Sequence, residues 1–236
     1  MRASATYLDH VSGRQSLLAG DGELSDTKAV ALLFHGGKEN SIDPVVGRQP
    51  AVWRMAPIAR RLLTVGAGSG LAVWRLRFRY RGWNNAADHP IEDAMWALRQ
   101  MRHRHAGVPI VLVGYSMGGR AALRVAGESD VAAVAALAPW LPSGEPHEQL
   151  AGRRLLVLHG TNDHVTSPQR SREYVQSVSG TADEATYIAL RGCGHTMARR
   201  ARLWHQLTTQ FVMHTGLGIA PAPVLARAIA AGDVVL

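Results

Sequence analysis

Three polar residues that could form a nucleophilic catalyst each follow a separate apolar run of the sequence. Ser116 stands in the pattern Gly-x-Ser-x-Gly at 114–118, between the apolar run 110–113 and a helix-forming stretch. This context predicts a sharp strand-to-helix turn that exposes the hydroxyl group of Ser116. An ordinary turn is the alternative interpretation, because Gly and Ser are common in loops.

A serine hydroxyl becomes a nucleophile when a base accepts its proton and a third group orients that base. Asp163 follows the apolar run 155–158 and His195 follows 185–190, so both are expected on loops at strand ends. The order Ser116, Asp163, His195 is typical of one known triad arrangement, with His195 as base and Asp163 as its orienting group. A loop histidine and a turn-forming or helix-capping aspartate are the structural alternatives.

The chain resembles the small α/β-hydrolases, near the dienelactone-hydrolase-like and minimal serine esterase members. The matching segments are 35–37, 79–82, 114–119, 159–163 and 192–195, and the resemblance covers about residues 28 to 214. Dienelactone hydrolases carry a cysteine nucleophile where this chain has Ser116, so the resemblance implies serine esterase or thioesterase chemistry. A backbone oxyanion hole is expected from the N–H groups of Met117, which follows the nucleophile, and of Gly37, chosen by resemblance.

Four further residues are candidates for substrate contact: Lys38, Tyr115, Trp140 and His164. Lys38 could attract an anion or be a solvated loop charge, and Trp140 could line an acyl pocket or simply pack. His164 is expected near the rim of the pocket. Two arginines, Arg79 and Arg81, follow the strand at 71–78. They are expected to tie their loop to carboxylates such as Asp93, with substrate contact as the alternative.

Apolar runs alternate with helical patterns along the chain, which predicts an α/β fold with a mostly parallel sheet and helices on both faces. The predicted strands are 28–34, 71–78, 110–114, 132–138, 154–159 and 185–190, and the predicted helices are 50–65, 90–105, 117–127, 168–178 and 196–214. Residues 5–24 are expected to add one or two antiparallel edge strands. Only about a dozen residues connect the strands at 132–138 and 154–159, which leaves no room for a separate cap domain.

Length and composition favour one globular α/β-hydrolase domain over residues 1–236, in which the tail 217–236 forms a short packed helix or takes part in self-association. The net charge is +8, but the basic residues are mostly dispersed arginines without a nucleic-acid-binding motif. We therefore expect no nucleic-acid partner, while a preference for an anionic substrate stays open. The single Cys193 excludes an intramolecular disulfide, and no run reaches the length of a membrane span.

The sequence thus predicts a cytoplasmic, bacterial serine hydrolase that cleaves a carboxylic ester or thioester through an acyl-Ser116 intermediate. No cofactor or metal is expected, because no set of His, Cys and carboxylate residues has convincing ligand spacing. The expected partner is a small-molecule or carrier-bound acyl substrate, without membrane binding, and a homodimer is left open. The alternatives are an acyltransferase or thioesterase in a biosynthetic pathway, and a non-catalytic binding protein on the same fold.

Overall fold

The computed structural model describes residues 3–9, 15–21, 26–196 and 198–236. Within these ranges one sheet contains nine strands, in the spatial order β1-β2-β4-β3-β5-β6-β7-β8-β9. The strands are β1 Ala3–Asp9, β2 Gln15–Asp21, β3 Ala29–Phe34, β4 Leu71–Arg77, β5 Ile110–Tyr115, β6 Val131–Leu137, β7 Arg154–Gly160, β8 Glu184–Leu190 and β9 Asp233–Val235. β2 pairs antiparallel with β1 and β4, and the other neighbouring strands run parallel.

The central strands are apolar along their whole length because helices cover both faces of the sheet. Every residue of β3 and β5 is buried. The helices are α1 Pro50–Trp53, α2 Ala56–Gly66, α3 His89–Arg104, α4 Met117–Arg124, α5 Pro168–Val178, α6 Ala201–Leu217 and α7 Pro223–Ala231. One apolar cluster joins the sheet to α3, α4 and α5, and a second joins its opposite face to α2, α6 and α7. The fold is therefore the predicted mostly parallel α/β sandwich.

Three of the predicted helices differ from the observed ones by more than one residue. The single helix expected at 50–65 is two helices, because Pro57 has no N–H to donate to the carbonyl of Trp53, and its ring would clash with that carbonyl. The last long helix begins at Ala201 rather than 196, since Arg200 has a left-handed backbone with φ of 59°. Helix α4 ends at Arg124, three residues before the predicted boundary.

The two ends of the sheet come from the two ends of the chain. The expected antiparallel edge strands are β1 and β2, although residues 10–14 and 22–24 of that expectation lie outside the described residues. The tail forms α7, with Leu225 and Ala228 buried, and then β9, which pairs with β8 and was not anticipated. A three-residue strand is too short for its alternation pattern to be recognised in a sequence.

The segment between β6 and β7 contains only a short 3-10 turn, Glu148–Leu150, so no separate cap domain covers the sheet. Because β5, β7 and β8 run parallel, their carboxyl ends meet at the same edge. In the described part of the chain, no helix has both the length and the apolarity that crossing a membrane requires.

Candidate active site

Ser116 occupies a strained turn between β5 and α4. Its backbone has φ of 54° and ψ of −117°, a combination that costs on the order of 1–3 kcal/mol for a residue other than glycine. The turn fits because a Cβ on Gly114 would lie 2.3 Å from the Gly118 carbonyl oxygen, and one on Gly118 would lie 2.4 Å from the His35 carbonyl oxygen. The two glycines therefore allow the close backbone approach that presents the Ser116 side chain at the sheet edge.

The structure brings Ser116, His195 and Asp163 into one chain of hydrogen bonds. His195 Nε2 lies 3.1 Å from Ser116 Oγ, and His195 Nδ1 lies 2.8 Å from Asp163 Oδ2. Ser116 follows β5, Asp163 follows β7 and His195 follows β8, as their positions after apolar runs indicated. This geometry lets the imidazole accept the hydroxyl proton while the carboxylate holds the opposite ring nitrogen.

The Asp163 side chain is fully enclosed, and its carboxylate is saturated with hydrogen-bond donors. Backbone N–H groups of Val165 and Thr166 donate to Oδ1 at 2.8 and 3.0 Å, and Thr166 Oγ1 donates to Oδ2 at 2.9 Å. Burial alone would raise the pKa of Asp163, but hydrogen bonds from His159, His195 and these backbone groups outweigh burial and hold the pKa well below its usual value. Asp163 therefore stays ionised and available to a positively charged His195.

His159 is a part of this network that the sequence pattern did not assign to the site. Its buried ring lies at the end of β7, with Nε2 3.1 Å from Asp163 Oδ2 and Nδ1 2.9 Å from Ser171 Oγ. These distances fit hydrogen bonds from one ring nitrogen to the Asp163 carboxylate and between the other ring nitrogen and the Ser171 hydroxyl. The spacing of four residues between His159 and Asp163 was the only sequence signal, and a buried histidine of the strand would show the same pattern.

Tyr115 is placed differently from the substrate contact that the sequence suggested. Its ring is buried behind the nucleophile, and its hydroxyl donates to the His195 carbonyl oxygen at 2.9 Å. The Arg54 Nη1 group donates to the same hydroxyl at 2.9 Å, and its guanidinium lies 5.1 Å from the ring centroid. Tyr115 is the last residue of β5, so its side chain points away from the cleft that Ser116 faces. Its hydroxyl braces the loop of His195, and its side chain is not among those that line the cleft in front of Ser116.

A cleft of about 350 Å³ opens in front of Ser116, and we call it the catalytic cleft. The predicted residues Gly37, Lys38, Met117 and Trp140 line it. His164 is exposed and does not line this cleft, because the turn after Asp163 presents Val165 and Thr166 there instead. Glu39, Val165 and Thr166 complete the lining and were not predicted.

The backbone N–H groups of Gly37 and Met117 belong to two residues that line the cleft together with Ser116. A Cβ on Gly37 would lie 2.5 Å from the sulfur of Met117, so the two residues are in direct contact beside Ser116. Among the described residues, neither the Gly37 N–H nor the Met117 N–H has a hydrogen-bond acceptor. Unpaired donors on two rigid segments can stabilise negative charge on a bound oxygen.

The loops around the cleft are anchored by buried polar groups. The His35 ring accepts the Phe78 N–H at Nε2 (3.1 Å) and contacts the Gly36 carbonyl oxygen through Nδ1 (2.7 Å). Burial is the main reason why the pKa of His35 is lowered to about 4. Arg79 is held by Asp93, whose carboxylate also accepts the Arg79 N–H at 2.9 Å. These contacts fix the segment that carries Gly37.

Trp140 forms one wall of the catalytic cleft and is supported from behind by Arg120. The Arg120 guanidinium lies 3.9 Å from the Trp83 ring centroid and 4.7 Å from that of Trp140. Its Nε donates to Glu145 Oε2 at 2.8 Å, and the Glu145 side chain is only 2% exposed. The wall of the cleft is therefore tied to α4, the helix that follows the nucleophile.

No metal ligand set is visible in the described ranges: no group of three or more His, Cys, Asp or Glu side chains there could hold an ion. Cys193 is buried, and its Sγ lies 3.1 Å from the Arg199 carbonyl oxygen.

Comparison with known proteins agrees with this fold. The chain is similar to an α/β serine hydrolase homologue from Coxiella burnetii, with 17% identity, a TM-score of 0.67 and coverage of 89% of this chain and 97% of that chain. A lidless α/β serine hydrolase from Xanthomonas campestris shares 21% identity, with a TM-score of 0.65 and coverage of 93% and 97%. The esterase domain of a Rhodothermus marinus protein shares 18%, with a TM-score of 0.64 and coverage of 90% and 98%.

The fold and cleft define a lidless α/β-hydrolase. Residues 55–215, more than half of the chain, match the family described as alpha/beta hydrolase domain, and the chain belongs to this family of enzymes. A sequence search of curated proteins found no match.

Proposed function

We propose that the protein hydrolyses a carboxylic ester or thioester through a covalent acyl-Ser116 intermediate. The observation that carries the proposal is the continuous hydrogen-bond chain from Ser116 Oγ through His195 to Asp163, whose Ser116 end lies in the catalytic cleft. The proposal includes a cytoplasmic location, with which the single Cys193 is compatible. It also includes a small-molecule or carrier-bound acyl substrate, because the uncapped cleft leaves room for a bulky leaving group.

In the first half-reaction, Ser116 Oγ attacks the carbonyl carbon while His195 Nε2 accepts the hydroxyl proton. The N–H groups of Gly37 and Met117 would stabilise the oxyanion, and each such donor is typically worth about 3–4 kcal/mol of the barrier. The carbon–oxygen or carbon–sulfur bond then breaks, and His195 gives its proton to the departing alcohol or thiol. Asp163 stabilises the transient imidazolium through Nδ1.

In the second half-reaction, water attacks the acyl carbon with His195 as base, and the carboxylic acid leaves as Ser116 regains its proton. An alcohol or amine that replaces this water would give acyl transfer by the same steps. The uncapped cleft supports this second outcome, since no domain of the described chain shields the acyl-enzyme from other acceptors. Product analysis with added alcohol or amine distinguishes the two outcomes.

A fluorophosphonate tests the proposal, with intact mass as the readout and Ser116→Ala as the key variant. We expect one adduct on the wild type, none on Ser116→Ala, and loss of p-nitrophenyl ester turnover by about 10⁴-fold or more in that variant. Ser143→Ala is the matched control, because Ser143 is exposed in the loop after β6 and should label normally. A folded wild type that neither labels nor cleaves esters would overturn the proposal and favour a binding protein.

A further inference from the structure

A second cleft, of about 260 Å³, shares a wall with the catalytic cleft and contains three cationic side chains. We call it the cationic cleft and define it by Lys38, Arg54 and Arg81. Gly37 and Lys38 line both clefts, so the two are continuous at the predicted oxyanion loop. No carboxylate lines the cationic cleft within the described parts of the chain.

The cationic cleft lies directly beside the nucleophile. Gly36 is part of its lining, and a Cβ on Gly36 would lie 3.3 Å from the Cβ of Ser116. On the other side, the Arg54 guanidinium reaches the Tyr115 hydroxyl, which in turn binds the His195 carbonyl oxygen. A group attached a few bonds from a carbonyl on Ser116 would therefore meet these cations.

The positive charge in this cleft is only partly compensated by the protein. Arg81 has an ion pair with Asp43 at 3.7 Å, and both side chains are exposed. The Arg54 contacts are with the neutral Tyr115, and Lys38 extends into solvent while its backbone N–H is fixed to the Arg81 carbonyl oxygen at 2.7 Å. In the ranges the structure covers, no carboxylate pairs with Lys38 or Arg54.

Like charges that converge on one concave surface repel each other, and a bound anion removes that repulsion. Arginine offers paired N–H donors that match a carboxylate or phosphate, and lysine adds a point charge. We propose that the cationic cleft binds an anionic group, a carboxylate or phosphate, that is part of the substrate whose acyl group is transferred to Ser116. This inference rests on the proposed ester or thioester hydrolysis.

The anionic group could belong to the acyl half or to the leaving half of the substrate, and paired esters distinguish the two. Monomethyl glutarate against methyl hexanoate tests the acyl half, followed by pH-stat titration. For the leaving half, 4-acetoxybenzoate is compared with 4-methylphenyl acetate, and acetyl-coenzyme A with S-acetyl-N-acetylcysteamine. The quantity measured is the ratio of kcat/KM for the anionic ester to that for its neutral partner, which cancels general losses of catalysis.

We expect the wild type to prefer the anionic member of at least one pair by about tenfold. Lys38→Met and Arg54→Met should each reduce that ratio at least about fivefold, while Arg54→Lys should retain most of it because the charge is kept. Arg227→Met is the control, since Arg227 is an exposed cation on α7 and its loss changes the net charge equally. If Arg54 acted only by bracing Tyr115, Arg54→Met would lower kcat/KM for both esters of a pair and leave their ratio unchanged.

Two results would overturn the cationic-cleft proposal and leave the proposed function intact. In the first, the wild type cleaves the anionic and the neutral ester of every pair equally well. In the second, a preference for the anionic ester survives Lys38→Met and Arg54→Met. A folded wild type that cleaves no ester and does not react with the fluorophosphonate would instead overturn the proposed function. In that case, calorimetric titration of Ser116→Ala with glutarate and inorganic phosphate tests anion binding by the cationic cleft separately. Binding that becomes weaker when Lys38→Met is added supports the proposal. The absence of binding contradicts it.

Discussion

His35 shows how a single buried side chain supports the loop that carries Gly37. Its ring accepts the Phe78 N–H, so the neutral form is the one that fits the site. Burial first, and then the positive charge of Arg77, lower the pKa of His35 to about 4, while the Gly36 carbonyl opposes this shift. Protonation would place a charge in a site that is only 3% exposed and would break the bond to Phe78.

We therefore predict a stability loss in mild acid that depends on His35. Its ordinary pKa is 6.5 and its folded value is about 4, so the unfolded chain binds a proton first as the pH falls. The contribution to stability is complete above the ordinary value and is lost between about pH 6.5 and 4, to a total of about 3 kcal/mol. Urea unfolding of wild type and His35→Gln at several pH values measures it, and an equal pH slope in both proteins contradicts it.

The three residues of the proposed triad were predictable one by one, whereas the residues that support them were not. Ser116, Asp163 and His195 each follow an apolar run and have side chains suited to triad chemistry, so type and position together indicated them. His159 has the same chemistry but lies within the last two residues of β7, a strand that is buried on both sides and where a histidine is usually structural. The buried position of Tyr115 behind the nucleophile was not foreseen, because the direction of a side chain at a strand end depends on the register of β5, which the sequence leaves open.

At the scale of elements, the turn between β5 and α4 depends on close contact between backbone segments. A Cβ on Gly118 would meet the carbonyl oxygens of both His35 and Phe34, at 2.4 and 2.6 Å. These atoms belong to backbone that is fixed in or beside β3, so they cannot move aside as a flexible side chain would. The glycine is therefore required by packing rather than by its own φ, which is not positive.

Gly118→Ala should destabilise the protein by at least about 2 kcal/mol, because the methyl group overlaps backbone atoms. Thermal and urea unfolding measure the change, together with soluble yield where the variant does not fold. Gly180→Ala is the matched control: a Cβ there meets open space, so a change within about 0.5 kcal/mol is expected. Equal stability of the two variants would show that the close approach of Gly118 to β3 does not limit packing.

The wall of the catalytic cleft depends on an ion pair that connects two elements. Burial raises the pKa of Glu145 and lowers that of Arg120, so both charges lose hydration and each depends on the other. Arg120→Met would leave Glu145 with Arg124 at 3.5 Å as its remaining partner and remove the cation between Trp83 and Trp140. This contact is independent of the triad, so its effects on stability and on the pocket can be separated from chemistry.

We expect Arg120→Met to reduce stability by about 3 kcal/mol, as is typical when one partner of a buried pair is removed. The double variant Arg120→Met with Glu145→Gln should recover part of this loss, since the uncompensated carboxylate is gone. Chemical unfolding of the four proteins gives the coupling free energy, and p-nitrophenyl esters of increasing acyl length report on the wall formed by Trp140. A coupling near zero would contradict the assigned role of the pair.

The element prediction succeeded where hydrophobic pattern decides structure and failed where one residue overrides it. The buried strands are continuous apolar runs, so their positions followed from the sequence. The division of helix 50–65 between Trp53 and Ala56 changes the site, because it places Arg54 between α1 and α2, where it reaches Tyr115. Helical periodicity on both sides of the break hides such a division from a pattern search.

At the scale of the whole molecule, the C-terminal segment closes one edge of the sheet. β9 pairs with β8, and the Leu236 N–H donates to the Ala189 carbonyl oxygen at 2.8 Å. Arg172 on α5 binds Asp233 with both Nε and Nη2, which holds the strand in register. An unpaired edge at β8 would offer its backbone groups to another chain.

Helix α7 anchors this edge through Leu225, which is fully buried, whereas the adjacent Val224 is 38% exposed. We predict that Leu225→Ala lowers the free energy of unfolding by about 2–4 kcal/mol, because it leaves a cavity next to the sheet. Val224→Ala is the matched control and should change the free energy of unfolding by less than about 1 kcal/mol.

Deleting residues 233–236 should cause concentration-dependent self-association, measured by light scattering, because the deletion exposes β8. A monomeric deletion variant with wild-type stability would show that the protein tolerates β8 as an exposed edge strand. It would also show that α7 protects this edge of the sheet without β9.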